Sequence, residues 1–169
     1  MCNFCQTPWF YGKAHPLPIE EIERVLRVYR DKGIRIINIL DENFGTFRKH
    51  SRQVIEIIHR LGLRWLALTR VNTLLDNFDF WRDRGLVGTH LGVESLSPAS
   101  LNAANKRTND LASVKALKLL GQNNMYVQIF YILGFDSDTV PSIRADIERL
   151  AKLDFDAAQI QILTPYPGT

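Results

Sequence analysis

Short β-branched and aliphatic runs alternate with amphipathic stretches along most of the chain. The strand-like runs are Ile34–Leu40 (IRIINIL), Arg64–Arg70 (RWLALTR), Val87–Val93 (VGTHLGV), Tyr126–Gly134 (YVQIFYILG) and Ala157–Leu163 (AAQIQIL). Near-continuous apolar runs of this length suit buried parallel strands. The intervening stretches carry helix punctuation. PIEEIERVLRVYRDKG opens on Pro18 and stops at Gly33, and its Ile19, Ile22, Val25, Leu26 and Tyr29 share one face at 3.6-residue spacing. RKHSRQVIEIIHRLG stops at Gly62 and LLDNFDFWRDRG at Gly85. NDLASVKALKLLGQNN opens on Asn109, a good N-cap, and TVPSIRADIERLAKLD tolerates Pro141 in its first turn. The alternation repeats at about 30 residues, the size of a β–α–β unit, and predicts right-handed crossovers over a parallel sheet. A doubly wound sheet and a barrel both fit that order.

In parallel α/β folds ligands bind at the carboxyl ends of the strands. Here those ends carry Asp41-Glu42-Asn43-Phe44, Thr69-Arg70, Glu94-Ser95, Gly134-Phe135-Asp136 and Thr164-Pro165-Tyr166-Pro167-Gly168. Polar groups at five neighbouring strand ends would share one mouth. Glu94 follows an apolar strand, so its carboxylate needs a cation or donors. Arg70, one strand over, is the expected partner. Gly134 would let the backbone approach a flat ligand closely.

Composition adds bounds. The 169 residues are 46% hydrophobic and 23% charged, with a net charge of +3, ordinary for one globular domain. The charges are dispersed along the sequence, which argues against nucleic acid as a partner. No apolar run approaches the ~20 residues of a membrane span. No secretory signal pattern opens the chain, so a cytoplasmic, reducing location is expected. The two cysteines both lie in the opening MCNFCQTPWFYG. A C-x-x-C spacing serves a redox dithiol, half of a zinc site, or part of an iron–sulfur site. His15, His50, His59 and His90 show no close-spaced pair that would complete a zinc site.

These residues, taken in order, resemble the radical S-adenosylmethionine (SAM) enzymes, in particular the class that often carries an upstream cobalamin-binding domain. Cys2-Asn3-Phe4-Cys5 resembles the second half of the family's C-x-x-x-C-x-aromatic-C motif, followed by Thr7-Pro8-Trp9 and Gly12. DENF, LGVESLS, Asn105-Lys106, YILGFDSDT and ILTPYPGT then follow in the family's order. The resemblance implies a partial TIM-like (β/α)6 barrel with five parallel strands visible and helices outside. It also implies a 4Fe–4S cluster whose ligands include Cys2 and Cys5, with SAM on the iron left open. Reductive cleavage of SAM then gives methionine and a 5′-deoxyadenosyl radical, which abstracts hydrogen from a small-molecule substrate or serves radical methylation.

By position, the resemblance puts Phe4 beside the adenine and Asp41 and Glu42 at the SAM amino group. Arg70, Glu94 and Ser95 fall at the methionine or ribose, and Ile132 and Gly134 flank the adenine. Lys106 matches without a role and is expected to be solvated. The implied partners are the substrate and an electron donor such as a flavodoxin or ferredoxin, with cobalamin through a domain outside this chain. Residues 1–169 are expected to be the core domain, truncated at the N-terminus so that the first strand and the first cluster cysteine are missing, ending after the last barrel strand, and inactive alone. A cluster-free remnant and a small zinc-binding interaction module are the alternatives. Trp9, Phe10, Tyr11 and Phe47 are expected in core packing, with an apolar substrate surface near the mouth as the alternative.

Overall fold

The computed structural model describes every residue except Met1, Pro8, Trp9, Tyr11, Lys13, Gly168 and Thr169. The elements run α1 (Ile19–Asp31), β1 (Ile36–Ile39), α2 (Arg48–Arg60), β2 (Arg64–Arg70), α3 (Val71–Arg82), β3 (Leu86–Glu94), α4 (Pro98–Ala103), α5 (Asp110–Gln122), β4 (Tyr126–Leu133), α6 (Val140–Leu150) and β5 (Ala157–Ile162). The five strands form one sheet in chain order, every neighbouring pair parallel. This is the open, single-direction winding of a half-barrel rather than a doubly wound sheet, whose strand order would reverse.

The strand ends agree with the apolar runs to within two residues. The short helix α4 had no periodic signal; six residues are too few to show one. The expected buried face of α1 is only partly realised. Leu26 is buried and Ile19 and Ile22 pack against the core, while Tyr29 is exposed. The outer strands also depart from expectation. β1 and β5 are edges, and Ile36, Ile160 and Ile162 are exposed. A continuous apolar run does not distinguish a central strand from an edge.

The central core lies between the helices and the outer face of β2, β3 and β4. Trp65, Trp81 and Phe44 form an aromatic triad with ring centroids 5.5–5.9 Å apart. Trp65 spends its indole N–H on Arg84 O at 3.0 Å, so the ring can be fully buried without an orphan donor. Phe44 anchors the loop after β1 to the end of β2. Its N–H donates to Leu68 O at 2.9 Å, and its own carbonyl accepts from the Thr69 hydroxyl at 2.9 Å. Gly45 makes that close approach possible. Its φ is +98°, and a Cβ there would lie 2.6 Å from Thr73 Cγ2 and 2.9 Å from Trp81. Gly45→Ala is therefore expected to destabilise the fold by about 2–4 kcal/mol, combining left-handed backbone strain with overpacking. Thermal or urea unfolding measures it.

Candidate active-site mouth

The loop at the end of β3 is built around a bulge. Pairing with β4 steps from Gly92–Phe130 to Glu94–Tyr131, so one extra residue sits on β3. Glu94 leaves the strand at φ +69°, an uncommon conformation for a residue with a side chain and one concentrated at functional sites. The turn re-aims the carboxylate back over Gly92. There Glu94 Oε1 accepts from Lys106 Nζ at 2.6 Å, with the two side chains 12% and 5% exposed. A Cβ on Gly92 would fall 2.7 Å from Glu94 Oε1 and 3.1 Å from Lys106 Nζ. The glycine is what leaves room for the pair.

This corrects two expectations. Lys106, not Arg70, neutralises Glu94, and Lys106 is buried rather than solvated. Arg70 is exposed and has no ion pair among the described residues. Two residues separate in sequence are brought together because the loop after α4 turns back at Asn105 (φ +51°) and bonds Lys106 N–H to Leu101 O at 2.9 Å.

The cysteine segment docks on the end of α4. Asn3 N–H donates to Ala104 O at 3.1 Å and Asn3 Nδ2 to Ala103 O at 2.9 Å; Cys5 N–H donates to Cys2 O at 3.2 Å. Phe4 meets the edge of Phe135 at 6.3 Å and packs with Ile132 and Ala104. Asp138 holds the β4 exit in place by accepting from the N–H groups of Gly134 (2.8 Å) and Phe135 (3.0 Å), while Ser100 Oγ donates to its other oxygen at 2.7 Å.

The resulting cavity, about 710 Å³, is lined by Cys2, Phe4, Cys5, Glu42, Arg70, Glu94 and Ile132, together with Leu68, Thr69, Gly92, Lys106, Phe130, Gln161, Ile162, Leu163, Thr164 and Tyr166. That volume suits a cofactor-sized ligand. Three named candidates stand elsewhere. Asp41 is exposed outside the lining. Gly134 (φ +92°) belongs to a neighbouring cleft with Phe4, Phe135 and Leu163. Ser95 is buried in the wall, where its hydroxyl donates to Asp146 Oδ2 at 3.3 Å and accepts from Ser97 N–H at 3.0 Å. Tyr131 shares Asp146, donating at 2.7 Å. Burial, and next the Asp146 carboxylate, push the Tyr131 phenol well above its ordinary range, so it stays a neutral donor. Phe10 and Phe47 are exposed rather than core, and Trp9 and Tyr11 lie outside the described residues.

Below the mouth, alternation along β3 and β4 carries His90 and Gln128 onto the same inner face as Gly92 and Phe130. His90 Nδ1 lies 2.9 Å from Gln128 Oε1, and Asn38 Nδ2 lies 3.1 Å from His90 Nε2. With Nδ1–H donating to the Gln128 oxygen, Nε2 accepts from Asn38: a polar chain across three strands. The period-2 pattern would have found these inward positions.

The sequence matches the Radical SAM superfamily over residues 1–150. The chain belongs to the radical SAM superfamily. It is 31% identical over 174 residues to an uncharacterized methyltransferase of Pyrococcus horikoshii and 30% identical over 178 residues to the bacteriochlorophyllide d C-12(1)-methyltransferase of Chlorobaculum tepidum. Each alignment covers 99% of this chain and 38% of the relative. The fold is similar to that of the radical SAM methyltransferase TsrM from Kitasatospora setae, solved with cobalamin and a [4Fe–4S] cluster. That match has TM-score 0.75 and 14% identity, covering 86% of this chain and 31% of TsrM. Escherichia coli coproporphyrinogen III oxidase matches at TM-score 0.71 and 13% identity, over 99% of this chain and 42% of the oxidase. The radical SAM half-barrel expected from the sequence is the one observed. Among the described residues no helix is long and apolar enough to cross a membrane.

Proposed function

We propose that this chain is the SAM-binding core of a radical SAM enzyme that cleaves SAM reductively for hydrogen abstraction or radical methylation. One observation carries the reading: Cys2, Phe4 and Cys5 open onto the same cavity as Glu42, Arg70 and Glu94. Thiolates are the donors an iron–sulfur cluster requires, so the chemistry of the pair fits that group. Among the described residues no group of three or more His, Cys, Asp or Glu could hold a metal. Cys2 and Cys5 would hold the cluster with a further ligand from outside those residues. When bound, cluster and SAM supply the one-electron chemistry.

The chain's own residues bind and orient. Glu42 is the acceptor for the SAM ammonium, and Arg70 the donor for its carboxylate. Glu94, with Oε1 committed to Lys106, offers Oε2 to the ribose hydroxyls. Phe4 and Ile132 form apolar walls for the adenine. Asp41, Ser95 and Gly134 are expected to act indirectly, through the loops they belong to. The methyltransferase relatives favour methylation, and the cobalamin-bound neighbour favours cobalamin as a further cofactor. A one-electron donor such as a flavodoxin or ferredoxin and a small-molecule substrate complete the reading, in a cytoplasmic setting.

Anaerobic reconstitution with iron and sulfide, followed by metal and sulfide analysis, tests it. Iron and sulfide are expected to bind and to be lost in Cys2→Ala and Cys5→Ala. Stoichiometric zinc without iron would establish the interaction-module alternative instead. Glu94→Gln removes one charge-assisted acceptor and is expected to weaken SAM binding by roughly tenfold or more. Calorimetry on the folded, reconstituted protein giving unchanged affinity would remove Glu94 from the ligand set.

A further inference from the structure

We propose that a second cavity, beside the mouth, binds a phosphoryl group. It measures about 340 Å³ and is lined by Arg48, Arg70 and Arg107 and by the first turn of α3, Val71 to Thr73. Among the described residues none of the three guanidinium groups has an ion-pair or hydrogen-bond partner. Lys106 also lines the cavity, but Glu94 already neutralises it. Asp76, one turn into α3, is the single acidic residue of the lining. Positive charge therefore exceeds negative charge.

The helices sharpen the imbalance. α2 begins at Arg48 and α3 at Val71, with Arg70 as its N-cap; neither has a side-chain cap or an acidic residue in its first turn. The other long helices do start with such groups: Glu20 and Glu21 in α1, Asn109 and Asp110 at α5, and a Thr139 capping box at α6. A helix N-terminus carries a partial positive charge and unpaired N–H groups, so cations there are unfavourable. Two such termini and three arginines meeting at one cavity are mutually repulsive until an anion enters. An oxyanion would collect the free N–H groups and the guanidinium forks together.

Asn43 also lines the cavity. A phosphoryl group presents three acceptor oxygens to the two helix termini and the guanidinium forks, whereas a carboxylate presents two. Asn72 holds the far wall, donating from Nδ2 to Arg107 O and accepting from Thr108 Oγ1 at 3.1 Å. The site goes beyond SAM binding, and it places a phosphoryl-bearing ligand within reach of the mouth through the shared Arg70.

Isothermal titration with inorganic phosphate, methyl phosphate and acetate, at matched ionic strength against chloride and without cluster or SAM, tests the site independently of the main reading. Saturable phosphate binding is expected, weakened at least about tenfold in Arg48→Gln/Arg107→Gln. That variant should fold at least as stably as the parent in phosphate-free buffer, because it relieves repulsion. Tighter binding of methyl phosphate than of phosphate marks a phosphomonoester as the ligand, and the reverse marks the free ion. Acetate binding as tightly as phosphate, phosphate binding no better than chloride, or full affinity retained in the double variant overturns the proposal.

Discussion

Replacing Lys106 by methionine is expected to remove about 3–5 kcal/mol of folding stability, the effect of leaving a buried charge without its partner. Methionine keeps most of the lysine stem, so the loss isolates the ammonium rather than the packing. What remains is the Glu94 carboxylate, 12% exposed, folded over Gly92 in a bulge at φ +69°. The companion variant Glu94→Gln/Lys106→Met is expected to recover most of the stability, since it removes both charges and keeps the volumes. Urea unfolding at neutral pH measures both, with shifts of the midpoint compared at constant slope. A loss below about 1 kcal/mol for Lys106→Met would mean that the open cavity solvates the carboxylate well enough, and that the pair contributes position rather than stability.

The β–α alternation was legible because the central helices and strands bury one face each and must repeat at their own periods. Glu94 as a buried carboxylate was legible for a similar reason, since a polar residue ending an apolar run has to be explained. Its partner was not. Arg70 is the neighbour by strand order, but strand order does not report side-chain reach. The bulge at Gly92 and Glu94 turns the carboxylate toward the loop after α4, where Lys106 waits. Ser95 is turned aside for the same cause: one residue past the bulge, its hydroxyl enters the wall and meets Asp146. The cationic cavity was invisible for another reason. Arg48, Arg70 and Arg107 lie more than twenty residues apart in a chain of modest net charge, and only the parallel winding brings the starts of α2 and α3 together. Polar residues at strand ends can be read from sequence; which cavity each one enters depends on loop geometry that leaves no periodic trace.

Phe44→Ala is expected to cost about 3–5 kcal/mol and to weaken both cavities at once. Phe44 is 3% exposed and closes the triad with Trp65 and Trp81. Truncation removes a ring from a site whose other two rings are held by β2 and α3, so the space cannot collapse fully. The backbone bonds of Phe44 to Leu68 and Thr69 survive the substitution, but without the ring they must order the loop alone. That loop carries Glu42 into the mouth, and Asn43 and Arg48 into the cationic cavity. Phe44→Leu retains much of the volume and is expected to lose less than half as much stability. Unfolding followed by tryptophan fluorescence reports the loss directly, because Trp65 and Trp81 pack on the missing ring. Ligand titrations at a temperature where the variant stays folded separate the consequences. Phe44→Ala should weaken SAM and phosphate together, whereas Arg48→Gln/Arg107→Gln should weaken phosphate alone. Full retention of both affinities in folded Phe44→Ala would show that the loop is ordered by its backbone bonds, and that the aromatic triad serves the core only.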